Sequence, residues 1–166
     1  MTYTDVRHRI RSGHLLAWSS KGWGNWYEIQ HHIIRVLTES EYVHVGLAWR
    51  LAGRVFVLEA SKDGVRIYPL SRRIPFYWSR TGMRWDEDVE RYALEHFGDQ
   101  FSKVRAWQAW MGWLKRSNKP HLWQCAEFVS AVLRRGDYNL NCDMTPEATI
   151  KANLGRGHPL YYISKL

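Results

Sequence analysis

Three strand-like runs follow one another closely between Tyr42 and Leu70: Tyr42 to Trp49, Arg54 to Ala60 and Val65 to Leu70. Only short turn signals separate them, Ala52-Gly53 and then Lys62-Asp63-Gly64, and an Asp-Gly pair between apolar runs marks a hairpin. A parallel crossover takes a dozen residues or more, so runs joined this tightly must pair antiparallel. The rest of the chain has to be built around that meander.

On either side the pattern alternates between short strands and helices. Leu15-Leu16-Ala17-Trp18-Ser19, after the turn signal Ser12-Gly13, reads as a buried strand, and Gly22 to Gly24 form a loop around Trp23. From an N-cap at Asn25, the residues Trp26, Ile29, Ile33, Ile34 and Leu37 recur on one helical face, which predicts a helix ending near Glu41. Phe76 to Arg80 adds a strand, and Asp86 to Phe97 a helix with an acidic first turn and Gly98 at its close. Lys103 to Lys115 sets Trp107, Trp110, Met111 and Leu114 on one face among Lys103, Arg105, Lys115 and Arg116, an amphipathic helix. A further helix runs from Cys125 to the stop signal Gly136, Thr145-Pro146-Glu147 opens a short one, and Leu160 to Ile163 forms a last strand. The expected architecture is α+β, a small antiparallel sheet packed against helices. No repeat or Pro/Gly-rich linker divides the 166 residues, so 1–166 is read as a single domain.

Lys and Arg outnumber Asp and Glu by 24 to 16, and the formal charge of +8 gives the surface an attraction for anions: nucleic acid, acidic lipid headgroups or an anionic cell-wall polymer. The charged N-terminal stretch from Met1 to Arg9 is not followed by an apolar run of the roughly 7 or more residues that a signal peptide needs. Together with the lack of an uncharged run near 18 residues, this leads us to expect a cytoplasmic chain as synthesised, without a transmembrane segment. The two cysteines, Cys125 and Cys142, have no C-x-x-C spacing and are expected to be thiols. His31-His32 diverge by about 100° on a helix, so they are poorly placed to share a metal ion. The reading calls for no cofactor and no metal.

The chemistry concentrates at Trp123-Gln124-Cys125-Ala126-Glu127-Phe128-Val129. A cysteine at a helix start meets unpaired backbone N–H groups and the positive end of the helix dipole, both of which favour the nucleophilic thiolate. His44, in Tyr42-Val43-His44-Val45-Gly46, is the candidate base; strand alternation places it with Tyr42 and Gly46, away from Val43, Val45 and Leu47, beside a glycine that leaves room for another group. Glu59, on the face of Val55 and Val57, is the candidate orienter, its simpler reading being an ion pair with Arg66. His14 and Glu127 compete for the base and orienting roles. The bland reading of Cys125 is a small buried apolar residue. A second class of reading is a non-catalytic basic module in which Trp107, Trp110 and Trp113 with their lysines and arginines bind a membrane, an anionic polymer or nucleic acid.

In order along the chain, Ser12-Gly13-His14-Leu15-Leu16, His44-Val45-Gly46, Leu58-Glu59-Ala60, Gly64-Val65, Pro69-Leu70, Gln124-Cys125-Ala126-Glu127-Phe128-Val129 and Thr145-Pro146-Glu147 resemble the circularly permuted papain-like (YiiX-like) branch of the NlpC-type cysteine hydrolases. The resemblance spans nearly the whole chain. It implies a permuted papain-like fold with Cys125 as nucleophile, His44 as base and Glu59 as orienter. It also implies cleavage of an amide, peptide or ester bond, with a peptide, cell-wall or lipid substrate. Two positions depart from the pattern: Ala126, often Ser in the group, and His14, where a Gly-Asp pair usually opens the first motif.

Overall fold

The computed structural model describes residues 1–19, 41–101, 122–142 and 145–165. The expected helix from Asn25, all but its end at Glu41, and that over Lys103–Lys115, with His31, His32, Trp107, Trp110, Trp113, Lys115 and Arg116, lie outside the described residues.

The meander forms as its turns dictate. Strands β2 (Tyr42–Leu51), β3 (Arg54–Ser61) and β4 (Gly64–Pro69) pair antiparallel in sequence order, with Gly53 and Gly64 at positive φ in the two turns. On the other side of β2 lies β1 (Leu15–Ser19), then β5 (Phe76–Ser79) and β8 (Leu160–Ile163), giving one six-stranded antiparallel sheet in the order β4-β3-β2-β1-β5-β8. Helix α2 (Glu87–Glu95) starts at Asp86, whose side chain accepts the N–H of Val89; α3 (Cys125–Arg135) and α4 (Pro146–Gly155) complete the larger helices. A short helix α1 (Tyr3–Val6), fixed by a capping box between Thr2 and Asp5, and a two-residue parallel pair β6 (Gln100–Phe101) with β7 (Leu122–Trp123) were not expected from the sequence. The fold is α+β, and no helix among the described residues is long and apolar enough to cross a membrane.

Alternation along each strand gives the sheet two apolar faces. Leu15, Ala17, Val45, Leu47, Leu58 and Ala60 pack under Phe128, Val129, Val132 and Leu133 of α3, with Val89 and Ala93 of α2 beside them. Leu16, Trp18, Ala48, Val57, Phe76 and Trp78 form a second core with Val6, Ile10 and Leu70 on the opposite face. The sheet is thus covered on both sides, and His44 does not leave the apolar interior as simple alternation suggests: it is buried, its ring 5.5 Å from that of Trp18.

A register shift explains a second difference. Trp18 pairs with His44, but Ser19 pairs with Tyr42, so Val43 is an extra residue in β2 and the alternation breaks there. Tyr42 therefore packs against the core on the helix side. The space beside Gly46 is also already taken. A Cβ at that position would lie 2.6 Å from Val57 Cγ2 and 3.0 Å from the Leu58 carbonyl oxygen. Gly46 is what lets β2 and β3 approach beneath His44 and Glu59. We expect Gly46→Ala to cost about 1–3 kcal/mol by overpacking, measured by urea denaturation; a variant as stable as the parent would show that the two strands separate freely at this point.

Candidate functional site

Helix α3 begins at Cys125 because Gln124 caps it: Gln124 Oε1 accepts the Ala126 N–H at 3.1 Å. Ser, Thr, Asp and Asn are the usual caps, so a glutamine in this role gives little sequence signal. The same oxygen lies 3.8 Å from Cys125 Sγ, and the thiol is nearly buried, with 8% of the residue exposed. Cys142 is also a free thiol and is more exposed.

His44 bridges the sulfur to the sheet. Its Nε2 lies 2.7 Å from Glu59 Oε2, and Cys125 at the start of α3 is close enough to act on its protonation. Burial by itself pushes the imidazole pKa down. The hydrogen bonds to Cys125 and Glu59, with the negative charge of both partners, outweigh burial and raise it to about 9.

Glu59 has no exposed surface. Its two oxygens divide their partners: Oε2 faces His44, while Oε1 accepts from Arg66 Nε at 3.1 Å, Arg66 Nη2 at 3.0 Å and Arg73 Nη1 at 2.8 Å. Burial favours the protonated carboxyl, but the bond and charge of His44 and then the charges of Arg73 and Arg66 prevail and hold the pKa down to about 2. The ion pair with Arg66 and the contact with His44, alternatives in sequence, are simultaneous in the structure.

The two rivals lie elsewhere. His14 sits at the far end of β1, where its carbonyl accepts the Ala48 N–H, four residues along the strand from Trp18, the partner of His44. Its Nδ1 accepts the Arg11 N–H at 3.2 Å and the Trp78 indole N–H at 3.0 Å. Burial, together with the charges of Arg80, Arg11 and His158, lowers its pKa to about 4, so it is a neutral structural histidine near pH 7. Glu127 is two residues beyond Cys125, about 200° around the helix, and lies within electrostatic reach of Tyr92 on α2. Sequence reasoning missed Gln124, Trp18 and Arg73. Arg73 follows a single 3-10 turn over Leu70–Arg72, and no local pattern points it back at Glu59.

No family model matches the chain, and no curated protein matches it. Among solved structures it is similar to the crystal structure of metalloprotein yiiX from Escherichia coli O157:H7, DUF1105, with a TM-score of 0.56 and 16% identity over 76% of this chain. The match covers 66% of that chain, so the present sequence spans just under two thirds of its length. The likeness shows a YiiX-like fold. That protein's title describes a metalloprotein; among the described residues here, no group of three or more His, Cys, Asp or Glu side chains is arranged to hold a metal ion.

The shifted groups set opposing pH slopes on stability. His44 is raised from 6.5 to about 9, so its contribution is complete below about 6.5 and is lost as pH rises through about 9. His14 is lowered from 6.5 to about 4 and Glu59 from 4.5 to about 2, so their contributions are lost as pH falls through those values. The melting-temperature difference between the parent and His44→Ala is expected to be largest near pH 6 and to narrow toward pH 9. A difference that is constant over that range would show that His44 gains no proton affinity on folding.

Proposed function

We propose that this chain is a cysteine-dependent hydrolase that cleaves an amide or peptide bond through a covalent acyl-enzyme, as a member of the permuted papain-like, NlpC-type group. The observation that carries the reading is His44, which hydrogen-bonds with a fully buried carboxylate and whose pKa is raised in part by a cysteine at a helix start. Nucleophile, base and orienter then stand in the order a thiol hydrolase uses.

In this reading His44 takes the Cys125 proton and the resulting imidazolium stays paired with the thiolate. The sulfur attacks the substrate carbonyl carbon, and the Cys125 backbone N–H at the first position of α3 donates to the developing oxyanion. Gln124 Oε1 already occupies the Ala126 N–H, which removes that neighbouring donor from the task. As the C–N bond breaks, His44 gives its proton to the leaving amine and a thioester remains on Cys125. Neutral His44 then draws a proton from water, whose oxygen attacks the thioester; an acid is released and the thiol restored. Glu59 keeps its charge throughout and fixes the ring through its Nε2. A peptide of the cell wall fits the positive charge of the chain, since such substrates are carried on anionic polymers.

Alkylation gives a direct test, because accessibility and the proposed pairing with His44 favour different cysteines. Cys142 is the more exposed of the two, so indiscriminate labelling favours it. We expect limited iodoacetamide at pH 6 to label Cys125 first by peptide mapping, and His44→Ala to slow that labelling. On a cleaved substrate, His44→Ala should lower kcat/KM by about 10²–10⁴ and Cys125→Ala should abolish turnover. Preferential labelling of Cys142, or a Cys125 rate indifferent to His44, would remove the assignment.

A further inference from the structure

The polar chain from Cys125 through His44 to Glu59 continues past the carboxylate. Arg73 Nη1 donates to Glu59 Oε1 at 2.8 Å, and the Arg73 guanidinium lies over the Trp18 ring, 4.9 Å from its centroid. The Trp18 indole N–H donates to the Arg73 carbonyl at 2.8 Å, and the same Trp18 ring stands 5.5 Å from the ring of His44. The contacts therefore close on themselves: His44 to Glu59, Glu59 to Arg73, Arg73 to Trp18, and Trp18 back to His44. Arg73, just after the 3-10 turn, is thus locked both to Trp18 on β1 and to the orienting carboxylate on β3, two strands away in the sheet order.

The charges facing this circuit come from several elements. His44 on β2 is faced by Glu59 from β3 and Cys125 from α3; Glu59 is faced by Arg66 from β4 and by Arg73. Arg66 divides its guanidinium between Glu59 and Asp63 and is 30% exposed at the side chain, whereas Arg73 is 13% exposed. Both guanidiniums bind Oε1, so only Oε2 is presented to the histidine. Each cation also draws on the field of the carboxylate. A Glu59 without them would hold the imidazolium proton more tightly and would itself be protonated more readily.

We propose that Arg73 is a positioning residue that, through Glu59, sets the upper pH limit at which His44 keeps its proton. The inference rests on the hydrolase reading, in which His44 must release that proton to the leaving group. With Arg73 present the imidazolium is stable enough to pair with a thiolate yet acidic enough to protonate an amine. Arg66, shared with Asp63 and closer to solvent, supplies a weaker share of the same effect.

The test is a pH titration of the His44 ring resonances in the full chain, compared among the parent, Arg73→Met, Arg73→Lys and Arg66→Met, with folding of each checked by circular dichroism and thermal melting. Arg73→Met is expected to raise the His44 midpoint by about one pH unit, a tenfold gain in proton affinity, and Arg73→Lys to restore it to near the parent value. Arg66→Met should shift it in the same direction by less, and it decides the question if Arg73→Met does not fold. An unchanged or lowered midpoint in the folded methionine variants overturns the proposal, as does an Arg73→Lys shift equal to that of Arg73→Met, which would assign Arg73 a purely structural part. Failure of the hydrolase reading is separable: it shows in the parent as alkylation of Cys125 that ignores His44, whereas failure of this inference leaves that reactivity intact.

Discussion

A carboxylate with no exposed surface lies on the inner face of this sheet shared with Val57, and its compensation organises what surrounds it. Leaving Glu59 charged and unpaired at that depth would cost about 3–5 kcal/mol or more. The fold surrounds it with Arg66 and Arg73 on one oxygen and His44 on the other. Each of these contacts constrains a different element: β4, the turn that follows it, and β2. The charge that could have opposed folding instead ties three segments together, and Trp18, packed against both Arg73 and His44, ties in β1 as well.

That arrangement depends on a sheet that is buried on both faces. A sheet with one wet face would give the face of Val57 and Glu59 to solvent, and a salt bridge there would be worth little. Here Leu70, Phe76, Trp78 and the N-terminal Val6 and Ile10 close that face, so the imidazole and the carboxylate interact without competing water. On the other face α3 packs over β2 and β3 and sets its N-terminal cysteine where the histidine can reach it. The bulge at Val43 serves the same end: it lets Tyr42 join the helix side while His44 stays against Trp18.

The proposed chemistry and the YiiX-like fold concern different levels of description. At 16% identity the structural likeness speaks for the path of the backbone alone. The argument for a thiol hydrolase rests on this chain's own side chains: a cysteine at a capped helix start, a histidine bound through Nε2 to a carboxylate and influenced by that cysteine, and a carboxylate held ionised. Gln124 occupies the Ala126 N–H, so of the two amides at this helix start the proposed reaction draws on the cysteine's own.

Local signals in the sequence determined the elements. Gly53 and Gly64 placed the turns of the meander, Asp86 and Thr145 placed helix starts, and the spacing of Phe128, Val129 and Val132 placed Cys125 at the head of α3. These signals act over a few residues, through φ preferences, capping bonds and side-chain period, so they are legible without the fold. The residues of the proposed site, Cys125, His44 and Glu59, were legible as residue types in order. What only the tertiary structure decided was who meets whom. One extra residue at Val43 changed which side Tyr42 occupies, and burial on both faces turned an outward histidine into a buried one. The lone pair that made His14 a rival base went to the Arg11 and Trp78 N–H groups, and Arg73, with no sequence pattern to mark it, came back across 14 residues to Glu59. Contacts between strands depend on register and on the packing of both faces together, and neither is encoded within any one short stretch of chain.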